Sequence, residues 1–191
     1  MSKELSDKLN KLNTPHEKLR FLILALTRGS ISDDIIIPNG VTFIEDNAFS
    51  DNGLKSVIIP DSVTHIGENA FGSNQFGNLR AHYNQLTCVT IPNSVTHIGN
   101  GAFSYNRLAT VTIPDSVTRI EDNTFTGNRL TNVAIPNSVT YIGENAFSYN
   151  QLTSVTIPDS VTHIGDRAFY NNSLDEPTRQ RILEINPNAQ F

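Results

Sequence analysis

Ile113-Pro-Asp-Ser-Val-Thr-Arg-Ile-Glu-Asp-Asn-Thr-Phe-Thr-Gly-Asn-Arg-Leu-Thr-Asn-Val-Ala134 decides the reading of this chain, because it is one of six copies of the same unit. Proline marks the beat at Pro38, Pro60, Pro92, Pro114, Pro136 and Pro158, with successive gaps of 22, 32, 22, 22 and 22 residues. A fixed period in this range is the signature of a solenoid, and one copy carries a ten-residue insertion.

Aligning the copies on proline shows which positions hold. Ile precedes each proline, from Ile37 to Ile157, and Val stands three residues after it, from Val41 to Val161. Ile44 to Ile164 and then Phe49, Phe71, Phe103, Phe125, Phe147 and Phe169 follow in every copy. The residue before Phe is Ala except at Thr124, and Leu recurs at Leu54, Leu108, Leu130, Leu152 and Leu174. One coil cannot bury these side chains alone, but stacked coils bury them in a continuous column. Leu-x-x-Val-x-Ile, as in Leu152 to Ile157, reads as a short parallel strand ended by Pro. Val-Thr-x-Ile adds a second, weaker strand, and Ile-Gly-Glu-Asn-Ala-Phe makes a turn or a single 3₁₀ turn. Asn three residues after each Phe (Asn52, Asn74, Asn106, Asn128, Asn150, Asn172) predicts an amide ladder that satisfies backbone groups at a corner.

The pattern Leu-x-x-Val-x-Ile-Pro-x-x-Val-x-x-Ile-x-x-x-Ala-Phe-x-x-Asn resembles the BspA-like leucine-rich repeats of bacteria and some protists, over about residues 35 to 174 and in all six copies. The resemblance implies an α+β repeat protein: a right-handed, curved leucine-rich-repeat solenoid with short parallel strands. It also implies a role mainly in protein recognition, often by surface or secreted proteins, and it brings no catalytic motif. The chain departs from the commonest members in its slightly short period and in lacking an export signal at its start.

Residues 1–30 are expected to form a helical cap, 31–174 the six repeats, and 175–191 a C-terminal capping helix and tail. Leu5, Leu9 and Leu12 have helical spacing, and Thr14-Pro15-His16-Glu17 reads as a capping box opening a second helix with Leu19, Leu22, Ile23 and Leu26 on one face. Covering the open end of the column is the structural reading; a helix that binds a partner or a membrane surface is the sharper one. At the other end, Asp175 or Ser173 serves as N-cap, Pro177 suits the first turn, and Leu174, Ile182 and Ile185 cover the last coil. Two caps suggest a complete unit. The insertion is placed near residues 76–85, with ambiguous edges because Phe76 could take the Leu position. Its Leu79, Arg80, His82 and Tyr83 are candidate contacts, against the alternative of a neutral loop without a partner.

A net charge of −5 argues against nucleic acid and against an anionic membrane surface as default partners. The single Cys, Cys88, excludes an internal disulfide and falls at an outward strand position. The longest apolar run, Phe21 to Leu26, is too short to span a bilayer. These features suggest the cytoplasm, or export without a classical signal peptide.

Little of the tempting chemistry survives the repeat. Asp61-Ser62…His65 and Asp159-Ser160…His163 hold the residue types of a triad, but they recur in register and lack the directed arrangement one needs. His65 and His97 share a column with Phe43, Arg119 and Tyr141, which reads as a variable exposed row and not as metal ligands. Asp46, Glu68, Asp122, Glu144 and Asp166 read as a solvated face, and the Thr rows suggest ice binding only as a minor alternative. No catalytic residue, metal site or cofactor is expected. The expectation is a monomeric, non-enzymatic module that binds a protein through Tyr83, Tyr105, Arg107, Arg129 and Tyr149, with Arg80 and His82 beside them. A carbohydrate or cell-surface ligand is the alternative within binding.

Overall fold

The computed structural model describes residues 3–27, 33–73 and 83–191. It contains helices α1 (Lys3–Asn10) and α2 (Pro15–Thr27), then strands β1 (Asp34–Ile36), β2 (Phe43–Ile44), β3 (Ser56–Ile58), β4 (His65–Ile66), β5 (His97–Ile98), β6 (Arg119–Ile120), β7 (Tyr141–Ile142) and β8 (His163–Ile164), and finally α3 (Glu176–Ile185). Every strand pairing is parallel, and partners lie one repeat apart: 22 residues for β2–β4 and 32 for β4–β5, across the insertion. This is the leucine-rich-repeat solenoid that the period dictates, with a helix at each end.

The core is a column. Phe49, Phe71, Phe103, Phe125, Phe147 and Phe169 are fully buried, and each ring stacks on the next with centroids 5.4–5.8 Å apart and planes within 14°. Offset stacking of this kind adds to simple burial, by about 0.5–1.5 kcal/mol per pair. Around the rings lie the repeated Val, Ile, Leu and Ala positions, from Ile35 to Leu174, in one cluster. Leu19 of α2 and Ile182 of α3 join that cluster from its two ends.

The asparagines hold the coils in register. The Asn128 Oδ1 accepts from the Leu108 amide of the preceding coil at 3.0 Å, and its Nδ2 donates to the carbonyls of Phe103 and Phe125 at 3.0 and 3.1 Å. Asn106, Asn150 and Asn172 repeat the pattern. In the coil with the insertion the same office falls to Asn84, which accepts from the Leu54 amide and donates to the carbonyls of Phe49 and Phe71. The repeat therefore resumes at Asn84, with Leu86 in the Leu column, so the extra residues are 74–83 and the expected edges shift by two. Asn74, expected in the ladder, lies outside the described residues.

The balance between the two strand arms differs from the expectation. Val-Thr-x-Ile supplies a strand in every coil, whereas Leu-x-x-Val-x-Ile forms a three-residue pair only between β1 and β3 and then thins to single bridges at Thr90, Thr112, Ala134 and Thr156. The proline ending that second arm has no N–H to carry the ladder further. On the favoured arm, Gly67, Gly99, Gly143 and Gly165 let the coils close up: a Cβ at these positions would stand 2.6–2.7 Å from the backbone nitrogen of the preceding coil.

Where that glycine is missing, the sheet breaks. Coil four carries Glu121 in its place, and the short strands separate into β2-β4-β5 and β6-β7-β8 at this point. Amides of the other coils donate across the junction, as Gly99 does to Ile66 and Gly143 to Ile120, but among the described residues no such bond joins Glu121 to Ile98 or Thr118 to Thr96. The turns bridge the same junction, through Phe103 N–H to Thr124 O and Tyr105 N–H to Thr126 O, so the array opens along one edge only.

Helices stand at both ends as expected, α2 meeting the first coil and α3 the last, while residues 1–2 and 28–30 of the expected cap lie outside the described residues. At α2, the Thr14 hydroxyl accepts from the Glu17 amide and the Glu17 carboxylate accepts from the amides of Thr14 and Asn13, the reciprocal bonds of a capping box. Those bonds hold the Glu17 carboxyl below its ordinary range. Arg20 reaches Glu45 of the first coil at 3.4 Å. At α3, Asp175 is the N-cap, bonded to the Thr178 amide, and Thr178 and Asn186 tie the helix to Val155 and Ile164 of the last coil.

Candidate functional surface

The turn around each Phe is the place where the repeat varies on a constant frame. Its geometry comes from paired left-handed residues, Asn47, Asn69, Gly101, Asn123, Asn145 and Arg167 before the Phe, and Asp51, Tyr105, Gly127, Tyr149 and Asn171 after it. Asn, Asp and Gly suit φ near +55°, whereas Tyr and Arg at such positions depart from the local preference. Tyr105 and Tyr149 each immediately precede a ladder asparagine, and Tyr83 precedes Asn84 in the same way.

Tyr149 is 51% exposed and Tyr83 44%, while Arg107 and Arg129 are also exposed. Tyr105 is only half-buried, because it leans across Gly127 of the next coil; a Cβ on Gly127 would stand 2.5 Å from its ring. Burial, followed by the Tyr149 phenol, raises the Tyr105 pKa above the ordinary tyrosine value. Tyr170 then meets Tyr149 edge-on at 5.6 Å, with the Arg167 guanidinium 5.8 Å from its ring. Tyr105, Tyr149 and Tyr170 thus extend over coils three to six. Tyr170 escaped the sequence reading because it sits directly after its Phe, where Ser50, Gly72, Ser104, Thr126 and Ser148 are small; that contrast was its only signal. Arg80 and His82 lie outside the described residues.

The row read as merely variable turns out to be contiguous. Phe43, His65 and His97 follow one another at 6.2 and 5.9 Å on the first sheet, and Arg119 lies 3.8 Å over Tyr141, which stacks on His163 at 4.5 Å, on the second. Arg119 also pairs with Glu121 at 2.8 Å. Tyr141 and His163 stack face to face, whereas Phe43, His65 and His97 meet at tilts of 39° and 40°.

Other sequence features resolve into structure. Ser62, Ser94, Ser116, Ser138 and Ser160 donate to Val carbonyls of the preceding coil, which gives the serine of each apparent triad a structural task. Thr64, Thr96, Thr140 and Thr162 donate likewise to the Thr carbonyl one coil back. The acidic row does more than solvate a face: Asp46 and Asp122 accept the amides of Glu68 and Glu144 from the next coil. Cys88 is exposed, as its column predicts. Among the described residues no group of three or more His, Cys, Asp or Glu could hold a metal ion, and no helix is long and apolar enough to cross a membrane.

Coil, strand pairing, aromatic column and amide ladder define a leucine-rich-repeat solenoid. Over residues 25–88 and 80–190 the sequence matches the family described as BspA type leucine rich repeat region, in six copies, and the chain belongs to that family. No curated protein matches it. Among solved structures it is similar to a leucine-rich repeat protein of Bacteroides ovatus (26% identity, 74% of this chain and 47% of that one, TM-score 0.42). It is also similar to a leucine rich cell surface protein of Faecalibacterium prausnitzii (28%, 72% and 51%, TM-score 0.38). A leucine-rich repeat protein of T. pallidum matches at 18% identity over 84% of this chain and 86% of that one, with TM-score 0.41. The chain spans about half the length of the first two.

Proposed function

We propose that this chain is a protein-recognition module whose contact face is the tyrosine row with the arginines beside it. The observation that carries the reading is the placement of Tyr83, Tyr105 and Tyr149 directly before ladder asparagines that are locked by bonds to two coils. Side chains held on such a frame lose little further freedom on binding, and Tyr and Arg are the residue types that most often anchor interfaces. Arg107 directly follows Asn106 and Arg129 directly follows the ladder asparagine Asn128 of the next coil, so one protein surface can engage both columns. Membership in a repeat family without a catalytic motif fits a binding role.

The test is capture of a partner from lysate with the parent protein and with two variant sets. Arg107→Ala/Arg129→Ala/Tyr149→Ala should lose the partner while keeping the circular dichroism of the parent. Asn132→Ala/Ser154→Ala, on the exposed strand arm, should retain it. A partner lost by both sets, or kept by both, would overturn the assignment of the face. Tyr105 is left intact because its packing over Gly127 gives it a structural share.

A further inference from the structure

We propose that the cleft between coils two and four binds a neutral, hydroxyl-rich ligand of the saccharide class, at a site separate in chemistry from the arginine-lined contact face. The cleft, of about 420 Å³, is lined among others by Glu68, Asn69, Asn100, Gly101, Tyr105 and Asp122, with Asn123 at its far side. That volume lies within the usual range of small-molecule sites.

The placement is not a by-product of the repeat. Coil three departs from it twice on this one face. Asn100 stands where the other coils carry an acid and Gly101 where they carry Asn or Arg, while Tyr105 occupies a column that varies between coils and holds Tyr again at Tyr149. Gly101 removes a side chain from the floor, where a Cβ would collide with the Asn69 Oδ1. Tyr105 walls one end, since it leans over Gly127. The left-handed backbone explains asparagine at Asn69 and Asn123, but it does not explain Asn100, which has ordinary φ.

The donor set then selects the ligand. Among the described residues the side-chain amides of Asn47, Asn100 and Asn123 make no hydrogen bond, so each offers a donor pair and an acceptor. Glu68 and Asp122 offer carboxylate oxygens beyond those already bonded to Asn69 and to the Glu144 amide. Among the described residues no Lys or Arg lines the cleft, which disfavours an anion. A cation would meet two partly engaged carboxylates and a neutral amide where a third acid would stand, too few hard ligands for a calcium site. Exposed and half-buried carboxylates and amides lining one cleft beside Tyr105 suit vicinal hydroxyl groups, which donate and accept at once.

The experiment is an NMR titration of the full chain with galactose, N-acetylglucosamine, lactose and cellobiose, each to millimolar concentration, and with calcium chloride and a mixed peptide pool as the other arms. At least one sugar should shift the amides of residues 69, 100, 101 and 123 in a saturating manner. Asn100→Ala and Asn123→Gly, the second chosen because Gly keeps the left-handed backbone, should each weaken that binding by about tenfold, the loss expected for one or two neutral hydrogen bonds. The proposal fails if no sugar shifts these amides, if only calcium or peptide does so, or if both variants bind like the parent. Neither variant touches Arg107, Arg129 or Tyr149, so this result and the partner capture stand or fall apart.

Discussion

At the scale of the residue, the asparagines show how a polar side chain can be the most constrained group in an apolar column. Asn128 is buried and satisfies one amide and two Phe carbonyls at once, whereas the side chain of Asn52, in the first coil, is half-buried and among the described residues bonds only to the Ser50 carbonyl. Asn128→Ala should cost roughly 3 kcal/mol, because it strands backbone groups from two coils; Asn52→Ala should cost about 1 kcal/mol or less. Urea denaturation of the two variants checks the contrast. Asp175 gives a pH-dependent case. The Thr178 bonds, from side chain and backbone, lower its folded-state pKa below the unfolded value. Its stabilisation is therefore present above the ordinary carboxylate value and is lost as pH falls through the lowered one. Asp175→Ala should melt earlier than the parent at neutral pH, and the two melting temperatures should converge in acid. A gap that stayed constant with pH would remove the carboxylate from the explanation.

At the scale of the element, one column decides whether neighbouring strands can pair. Glycine there admits the preceding backbone, and Glu121 does not, so β5 and β6 part although their sequences fit the repeat. Glu121→Gly should join the two sheets, and hydrogen exchange at positions 118 and 121 should slow. Global stability should change by no more than about 1 kcal/mol, since the new bonds are offset by the conformational freedom of glycine and the exposed Arg119 pair is worth little. Unchanged exchange would mean that something other than the missing glycine separates the coils. This break shows where sequence reading stopped. The Phe and Asn columns were legible because an interior position tolerates one residue type in every copy. The glycine column was not, because Glu45 also occupies it in the first coil, which has no preceding coil to collide with. The strength of the two arms was equally hidden: Val and Ile favour a strand on both, and only the proline and the close approach separate them. On the candidate face, Tyr105 and Tyr149 could be read from a column that varies inside an otherwise uniform repeat, whereas the cleft required the lean of Tyr105 and the floor left by Gly101.

At the scale of the whole molecule, contacts run from each coil to its neighbours, and stability should follow that one-dimensional logic. Removing residues 115–136, one period of 22, keeps every column in step and takes Glu121 away with the coil. The shortened protein should fold with a lower melting temperature and with coil five seated on coil three through Gly143. Removing half a period from the same place should unfold the C-terminal coils, and comparison by circular dichroism separates the cases. The resumption of the frame at Asn84 has a further consequence. Ten residues enter between Ser73 and Asn84, yet the amide of Asn84 still finds the Ser73 hydroxyl and its side chain still spans two coils. Growth at this corner leaves the ladder unbroken on either side, so lineages of such arrays can lengthen there by whole loops without re-evolving a core. The same corner is the natural graft point for anyone who wishes to display a foreign peptide on this scaffold.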